Sequence, residues 1–169
     1  MFKILLAITT FIISIYELQF TDAGGNTVDM NSFREKKILL VNIASGSNRI
    51  NQLSGLQQLQ EQYADSLVVI AFPSNSFGHE ARNNTEILQL CQSYGVTFPV
   101  AQVNPVAGAG IQPIYQWLSD STQNGEMNGV ISGDFHKILI NSQGEIIAVF
   151  APALEPMDML IRNAITGTN

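Results

Sequence analysis

A chain of 169 residues with 46% apolar and only 13% charged side chains can bury one domain-sized core, and its composition is not that of a disordered segment. Its net charge of −6, with no run of Lys or Arg, argues against nucleic acid or an anionic membrane as partner. One cysteine, Cys91, rules out an internal disulfide and a thiolate metal site, and two histidines far apart in sequence give no zinc spacing, so neither metal nor cofactor is expected.

Met1-Phe2-Lys3 and the apolar run 4–13 have the outline of a signal peptide, one early positive charge followed by a hydrophobic stretch. The run is too short for a comfortable membrane span. No Ala-x-Ala-like pair marks a cleavage site, and the alternative is an apolar lead-in to a first strand. This reading divides the chain into a leader, 1–13, and one domain, 14–169. The protein is then secreted or periplasmic, or cytoplasmic if no leader is cleaved.

Asp22-Ala23-Gly24-Gly25-Asn26 supplies the residues of a tight reversal between 15–20 and 27–30, an N-terminal hairpin. The apolar run 38–41 reads as a buried strand. A small polar turn follows it, and Ile50, Leu53, Leu56, Leu59 and Tyr63 then recur at helical spacing, so a helix is expected from near Asn48. The unbroken run 67–72 is a second buried strand ended by Pro73, and strand–helix–strand order implies a parallel crossover. A loop, 74–83, closes that strand, and such loops are where sites sit.

Asn84 is placed to cap a second helix with Ile87, Cys91 and Tyr94 on one face and Gly95 as its stop. Pro113 opens a third helix through Ile114, Trp117 and Leu118. A polar loop, 120–129, precedes a hairpin of 137–140 and 145–150 around Asn141-Ser142-Gln143-Gly144. Glu155-Pro156 is expected to start a last helix with Met157, Leu160, Ile161 and Ala164 inward. The sum is an α/β domain, a mixed sheet with helices on both faces.

Asn42-Ile43-Ala44-Ser45-Gly46-Ser47 resembles the Asn-Val-Ala-Ser-x-Cys (or selenocysteine) stretch of glutathione peroxidases. The stretch from Ala71-Phe72-Pro73-Ser74-Asn75 through Ser76-Phe77-Gly78-His79-Glu80 resembles that family's Phe-Pro-Cys-Asn-Gln-Phe-Gly-x-Gln-Glu, and Ser132-Gly133-Asp134-Phe135-His136-Lys137-Ile138-Leu139-Ile140 its Trp-Asn-Phe-x-Lys-Phe-Leu. The resemblance implies a thioredoxin-like fold with an N-terminal β-hairpin. It also implies reduction of hydroperoxides with a thiol reductant, a role in oxidative stress.

By the same resemblance the peroxidatic position is Ser47, and the family's glutamine, tryptophan and asparagine fall at Ser76, Gly133 and Asp134. Peroxide reduction needs a chalcogenolate that can be oxidised. A serine hydroxyl is neither anionic near neutral pH nor oxidisable in this way, and Asp134 puts a carboxylate where a donor amide belongs. The chain therefore reads as a pseudoenzyme that keeps a thiol, a peroxide or a protein partner at the old site. Cys91 matches the resolving cysteine of thiol-dependent relatives in its stretch Cys91-Gln92-Ser93-Tyr94-Gly95-Val96-Thr97-Phe98-Pro99. With no peroxidatic partner it reads as an inert, inward-facing thiol, with Glu86 the carboxylate closest to oppose its ionisation. The alternative is displaced chemistry, thiol-based at Cys91 or hydrolytic at Ser47 with His79 or His136 and Asp134. His79 is expected as a solvated loop residue, and His136 as facing away from Asp134.

Overall fold

Alternation along three central strands decides the architecture. In the computed structural model, which describes residues 12–129 and 131–168, β3 (Lys37–Ile43) pairs in parallel with β4 (Leu67–Pro73) in the register Ile38↔Val68 and Val41↔Ala71. On the other side of β3 lies β5 (Lys137–Ile140), antiparallel, and β6 (Ile146–Phe150) pairs antiparallel with β5, giving the order β4-β3-β5-β6.

Leu39, Val41, Ile43, Val69, Ala71 and Leu139 point to one face. There they meet Leu53, Leu56 and Leu59 of α1 (Gln52–Gln62), Ile87 and Cys91 of α2 (Asn84–Ser93), and Ile161 and Ile165 of α5 (Met159–Thr166). Ile38, Leu40, Ile70, Phe72, Ile138 and Ile140 point the other way, onto Ile114, Tyr115, Trp117 and Leu118 of α3 (Pro113–Leu118) and onto Tyr16, Phe20 and Met30. A period of two therefore fills two cores from one sheet. Each fully buried apolar side chain contributes about 1.5–3 kcal/mol. Phe72 sits between Phe20 and Tyr115, with ring centroids 5.3 and 5.2 Å away.

The N-terminal hairpin is present but shorter than expected. Its strands are β1 (Gln19–Thr21) and β2 (Thr27–Asp29), because residues 15–17 form a 3-10 turn closed by a capping box between Ser14 and Glu17. It docks on the segment beside β4 through Ala23 N–H to Val100 O at 2.9 Å and Gln102 N–H to Thr21 O at 2.9 Å. The leader reading of 1–13 lies, for residues 1–11, outside the described residues. Ile13 itself is tied to the domain: its N–H donates to Gln123 O, and its carbonyl accepts the indole N–H of Trp117 at 2.7 Å.

Several boundaries differ from expectation. Residues 48–51 are a turn, so α1 starts at Gln52 rather than near Asn48. Asn83, not Asn84, caps α2, in a reciprocal box with Glu86. Asn84 Oδ1 instead accepts Val103 N–H at 2.8 Å. The polar loop contains a single helical turn, α4 (Ser121–Asn124), ended by Gly125 in the left-handed region. The last helix starts at Met159 behind an Asp158 cap, later than Glu155-Pro156 implied. Leu160 consequently points outward, 63% exposed, while Ile161 and Ile165 face the core. Among the described residues no helix is long and apolar enough to cross a membrane.

Candidate functional site

β3 ends in Ala44-Ser45-Gly46-Ser47, beside the loop that leaves β4. The two are bonded together. Gly46 N–H donates to His79 O at 2.8 Å, and a Cβ at Gly46 would itself lie 2.8 Å from that oxygen. Any larger residue at 46 forces these two backbone segments to shift. Glu80, 4% exposed, accepts Ser45 N–H at 2.8 Å, the Ser45 hydroxyl at 2.7 Å and Arg82 N–H at 2.9 Å. Its own N–H donates to Asn75 Oδ1 at 3.1 Å. A buried carboxylate is tolerable only when its oxygens are satisfied in this way.

A second clamp holds the turn before β5. Asn42 Nδ2 donates to Gly133 O at 2.9 Å, and Phe135 N–H donates to Asn42 O at 2.6 Å. Phe135 is the only described non-glycine residue in the left-handed region, φ 66°, with its ring wholly buried. Lys137 lies beneath it, its ammonium donating to Phe135 O at 2.8 Å. Burial lowers the Lys137 pKa to about 8, opposed by nearby Glu155.

Ser47 is 6% exposed. Its N–H donates to Ala44 O, its carbonyl accepts Ile50 N–H, and its Oγ accepts Arg49 N–H at 3.3 Å. The Ser76 hydroxyl does not turn to Ser47. It accepts Val106 N–H at 3.0 Å and Ala107 N–H at 3.2 Å and so pins the Gly/Ala-rich loop, with the Ser74 hydroxyl 3.0 Å away. Gly133 leaves open space, since a Cβ there would meet only Pro152 Cγ, at 3.7 Å. Asp134 is buried at 4% exposure, and its Oδ2 lies 2.6 Å from His79 Nδ1. Its Oδ1 has no partner among the described residues.

That pairing corrects the expectation for His79. The side chain is 55% exposed but anchored, not simply solvated. His136 is buried and turned to its own turn, where Nδ1 accepts Ser132 N–H at 3.3 Å; burial and the neighbouring Lys137 lower its pKa. Of the two histidines, only His79 is recorded on Asp134. The described residues contain no group of three or more metal-ligating side chains.

The family model described as glutathione peroxidase matches residues 15–119. The chain belongs to the glutathione peroxidase family. A glutathione peroxidase of Lactococcus lactis subsp. cremoris is 38% identical over 149 residues, covering 86% of this chain and 94% of that one. A glutathione peroxidase-like peroxiredoxin of Schizosaccharomyces pombe is 35% identical over 144 residues, with 83% and 90% covered. The crystal structure of Trgpx in apo form superposes with a TM-score of 0.66 at 29% identity over 90% of this chain and 95% of that one. The fold is thioredoxin-like, with the mixed sheet, flanking helices and N-terminal hairpin that the sequence implied.

In this glutathione peroxidase family chain the one thiol is buried. Cys91 is 2% exposed on the inner face of α2, beside Ile87 in the core, with Tyr94 packed against the same cluster. Burial pushes its pKa up to about 11, and Glu80 adds to the rise. The opposing carboxylate is therefore Glu80 from the loop after β4, not Glu86. Glu86 is committed to the Asn83 cap. The sequence reading gave Glu80 no role. Its one local signal was Asn75, five residues earlier, an Asx acceptor able to close the loop. Nothing local marks His79, because its partner lies 55 residues away.

Proposed function

We propose that this glutathione peroxidase family protein does not reduce hydroperoxides and that Ser47, Ser76, Gly133 and Asp134 stand at the family's four catalytic positions. One observation carries the reading: the residue in the turn between β3 and α1 is Ser47, whose oxygen cannot be oxidised and regenerated by a thiol. The neighbouring groups agree with it. Ser76 spends its hydroxyl on the 106–107 backbone, Gly133 offers no indole, and Asp134 is engaged with His79. None of them is free to donate a hydrogen bond to a peroxidatic atom.

The scaffold persists because its clamps are independent of the chemistry. Asn42, Glu80 and Lys137 hold the turns whether or not a chalcogen is present. What the site retains is a place for a thiol, a peroxide or a protein partner, in a protein that its apolar 4–13 run directs out of the cytoplasm. A coupled assay of NADPH consumption with hydrogen peroxide or an organic hydroperoxide, and glutathione or thioredoxin as reductant, tests this. The expected rate is that of the no-protein blank. Turnover well above the blank overturns the proposal.

A further inference from the structure

We propose that Ser47, His79 and Asp134 form a hydrolytic centre for small carboxylic esters, with Ser47 the acyl acceptor, His79 its base and Asp134 the residue that orients the base. The inference goes beyond the loss of peroxide chemistry and is read in a different assay. Its strongest support is the His79–Asp134 pair. A carboxylate with 3% of its side chain exposed holds Nδ1 of an imidazole at 2.6 Å. Among the described residues the only partner of that carboxylate is His79, and its second oxygen is buried without one. The carboxylate therefore fixes the ring and leaves Nε2 as the free nitrogen, on a side chain that is 55% exposed. This is the arrangement in which a histidine accepts a proton at Nε2 while the carboxylate stabilises the imidazolium that results.

The second support is where the histidine is mounted. The His79 carbonyl accepts Gly46 N–H at 2.8 Å, so the backbone that carries the base is bonded to the residue before Ser47. Glu80, next along, holds Ser45 by both its N–H and its hydroxyl. Base and nucleophile are thus mounted on two short segments tied together on both sides. In the free protein Ser47 Oγ accepts Arg49 N–H at a long 3.3 Å. Hydrolysis requires bound substrate to bring Ser47 Oγ onto Nε2, a link that is often loose before substrate arrives.

The reaction needs no oxidant and no metal. Ser47 Oγ bonds to the acyl carbon as its proton passes to His79 Nε2. The carbon–alkoxide bond breaks, and the alkoxide leaves with that proton. Water then attacks the acyl-serine, His79 takes and returns the second proton, and the carboxylic acid departs with Ser47 restored. The net change is ester plus water to acid plus alcohol.

p-Nitrophenyl acetate hydrolysis by the full-length chain tests the proposal. Wild type is expected above the buffer rate, with Ser47→Ala reduced to that rate and His79→Gln reduced by about 100-fold or more. Asp134→Asn, as a positioning change, is expected to lower kcat with KM unchanged. Ser54→Ala, on the exposed side of α1, is the unchanged control. Since Asp134→Asn risks the fold, a second measurement stands apart from it: a fluorophosphonate probe, with peptide mass spectrometry, is expected to label Ser47 in wild type and not in His79→Gln. Wild-type hydrolysis at the buffer rate, hydrolysis that survives Ser47→Ala, or a probe adduct elsewhere in the chain overturns the proposal.

Discussion

The turn into α1 and the inner face of α2 present opposite environments to their side chains. At the turn, β3 feeds through Gly46 and Ser47 toward a helix start, and Arg49 N–H points at the residue-47 side chain at 3.3 Å. That N–H is the one backbone donor on the residue-47 side chain among the described residues. On α2, Cys91 lies among Ile87 and the sheet residues, 2% exposed, with its ionisation opposed by burial and by Glu80. The turn into α1 holds oxygen, and the only sulfur of a cysteine sits where a thiolate is disfavoured. Family membership follows from the fold that both regions share. Chemistry follows from which atom is put in which region.

The largest expected effect comes from moving sulfur to the turn and restoring the groups around it. Ser47→Cys alone is expected to stay at least about 100-fold below the quadruple variant Ser47→Cys, Ser76→Gln, Gly133→Trp, Asp134→Asn, because single preorganised donors are each worth on the order of 100-fold. A Cβ at residue 133 would meet Pro152 Cγ at an ordinary 3.7 Å, so the backbone there accepts a side chain. The measurement is peroxide turnover with a thiol reductant, both proteins checked for a native circular dichroism spectrum. Equal rates would show that residue 47 alone controls the chemistry, and the comparison would lose its second half.

Next comes the sulfur already present. With the Cys91 pKa raised from 9.0 to about 11, the thiolate fraction at pH 8 is lower by about two orders of magnitude than in the unfolded chain. Iodoacetamide should therefore modify Cys91 at least ~100-fold faster in denaturant than in the native protein. The native rate should still be climbing above pH 10, whereas the denatured rate levels off near pH 9.5 by the same ionisation argument. Mass spectrometry of timed samples reads both. Equal native and denatured rates would return Cys91 to the reactive class.

The same shift sets the sign of a stability effect. The folded-state pKa is the higher one, so the folded protein binds more protons between pH 9 and 11, and stability falls as pH rises through that window. The Cys91 contribution to this fall is expected to be about 2–3 kcal/mol across the window. Denaturant midpoints of wild type and Cys91→Ala at pH 8 and 11 isolate it, since other titrating groups are common to both. A smaller loss, about 2 kcal/mol, is expected for Glu80→Gln, which keeps the size but weakens the charge-assisted bonds to Ser45 and Arg82. Thermal unfolding at pH 7 reads it, and no change in Tm would mean that the loop after β4 is held by something else.

The sheet was legible in the sequence because its signal is local. Runs such as 38–41 and 67–72 are apolar throughout, as two-sided burial requires, and the turn residues 141–144 separate β5 from β6. The burial of Cys91 was legible for the same reason, from its spacing to Ile87. The start of α1 was not, because apolar spacing from Ile50 onward cannot distinguish a turn from a helix. Leu160 was misplaced because the Asp158 cap delays α5 past Pro156 and rotates the apolar face onto Ile161 and Ile165. At the site, sequence could name Ser47, Asp134 and the two histidines but not which histidine meets Asp134. The His79–Asp134 bond and the approach of Glu80 toward Cys91 join segments that only the sheet brings together. Ser76 shows the reverse case: a position matched by sequence whose side chain is drawn away by the backbone of residues 106 and 107.

The most direct measurement omits the reductant. One equivalent of hydrogen peroxide is mixed with the wild-type protein, the remaining peroxide is followed in time, and dimedone is added before intact-mass and peptide analysis. With oxygen at residue 47 and a buried thiol at Cys91, peroxide should disappear at the buffer rate and no dimedone adduct should form. Rapid loss of an equivalent of peroxide, with dimedone on Cys91, would contradict the account and establish the α2 thiol as a working redox centre.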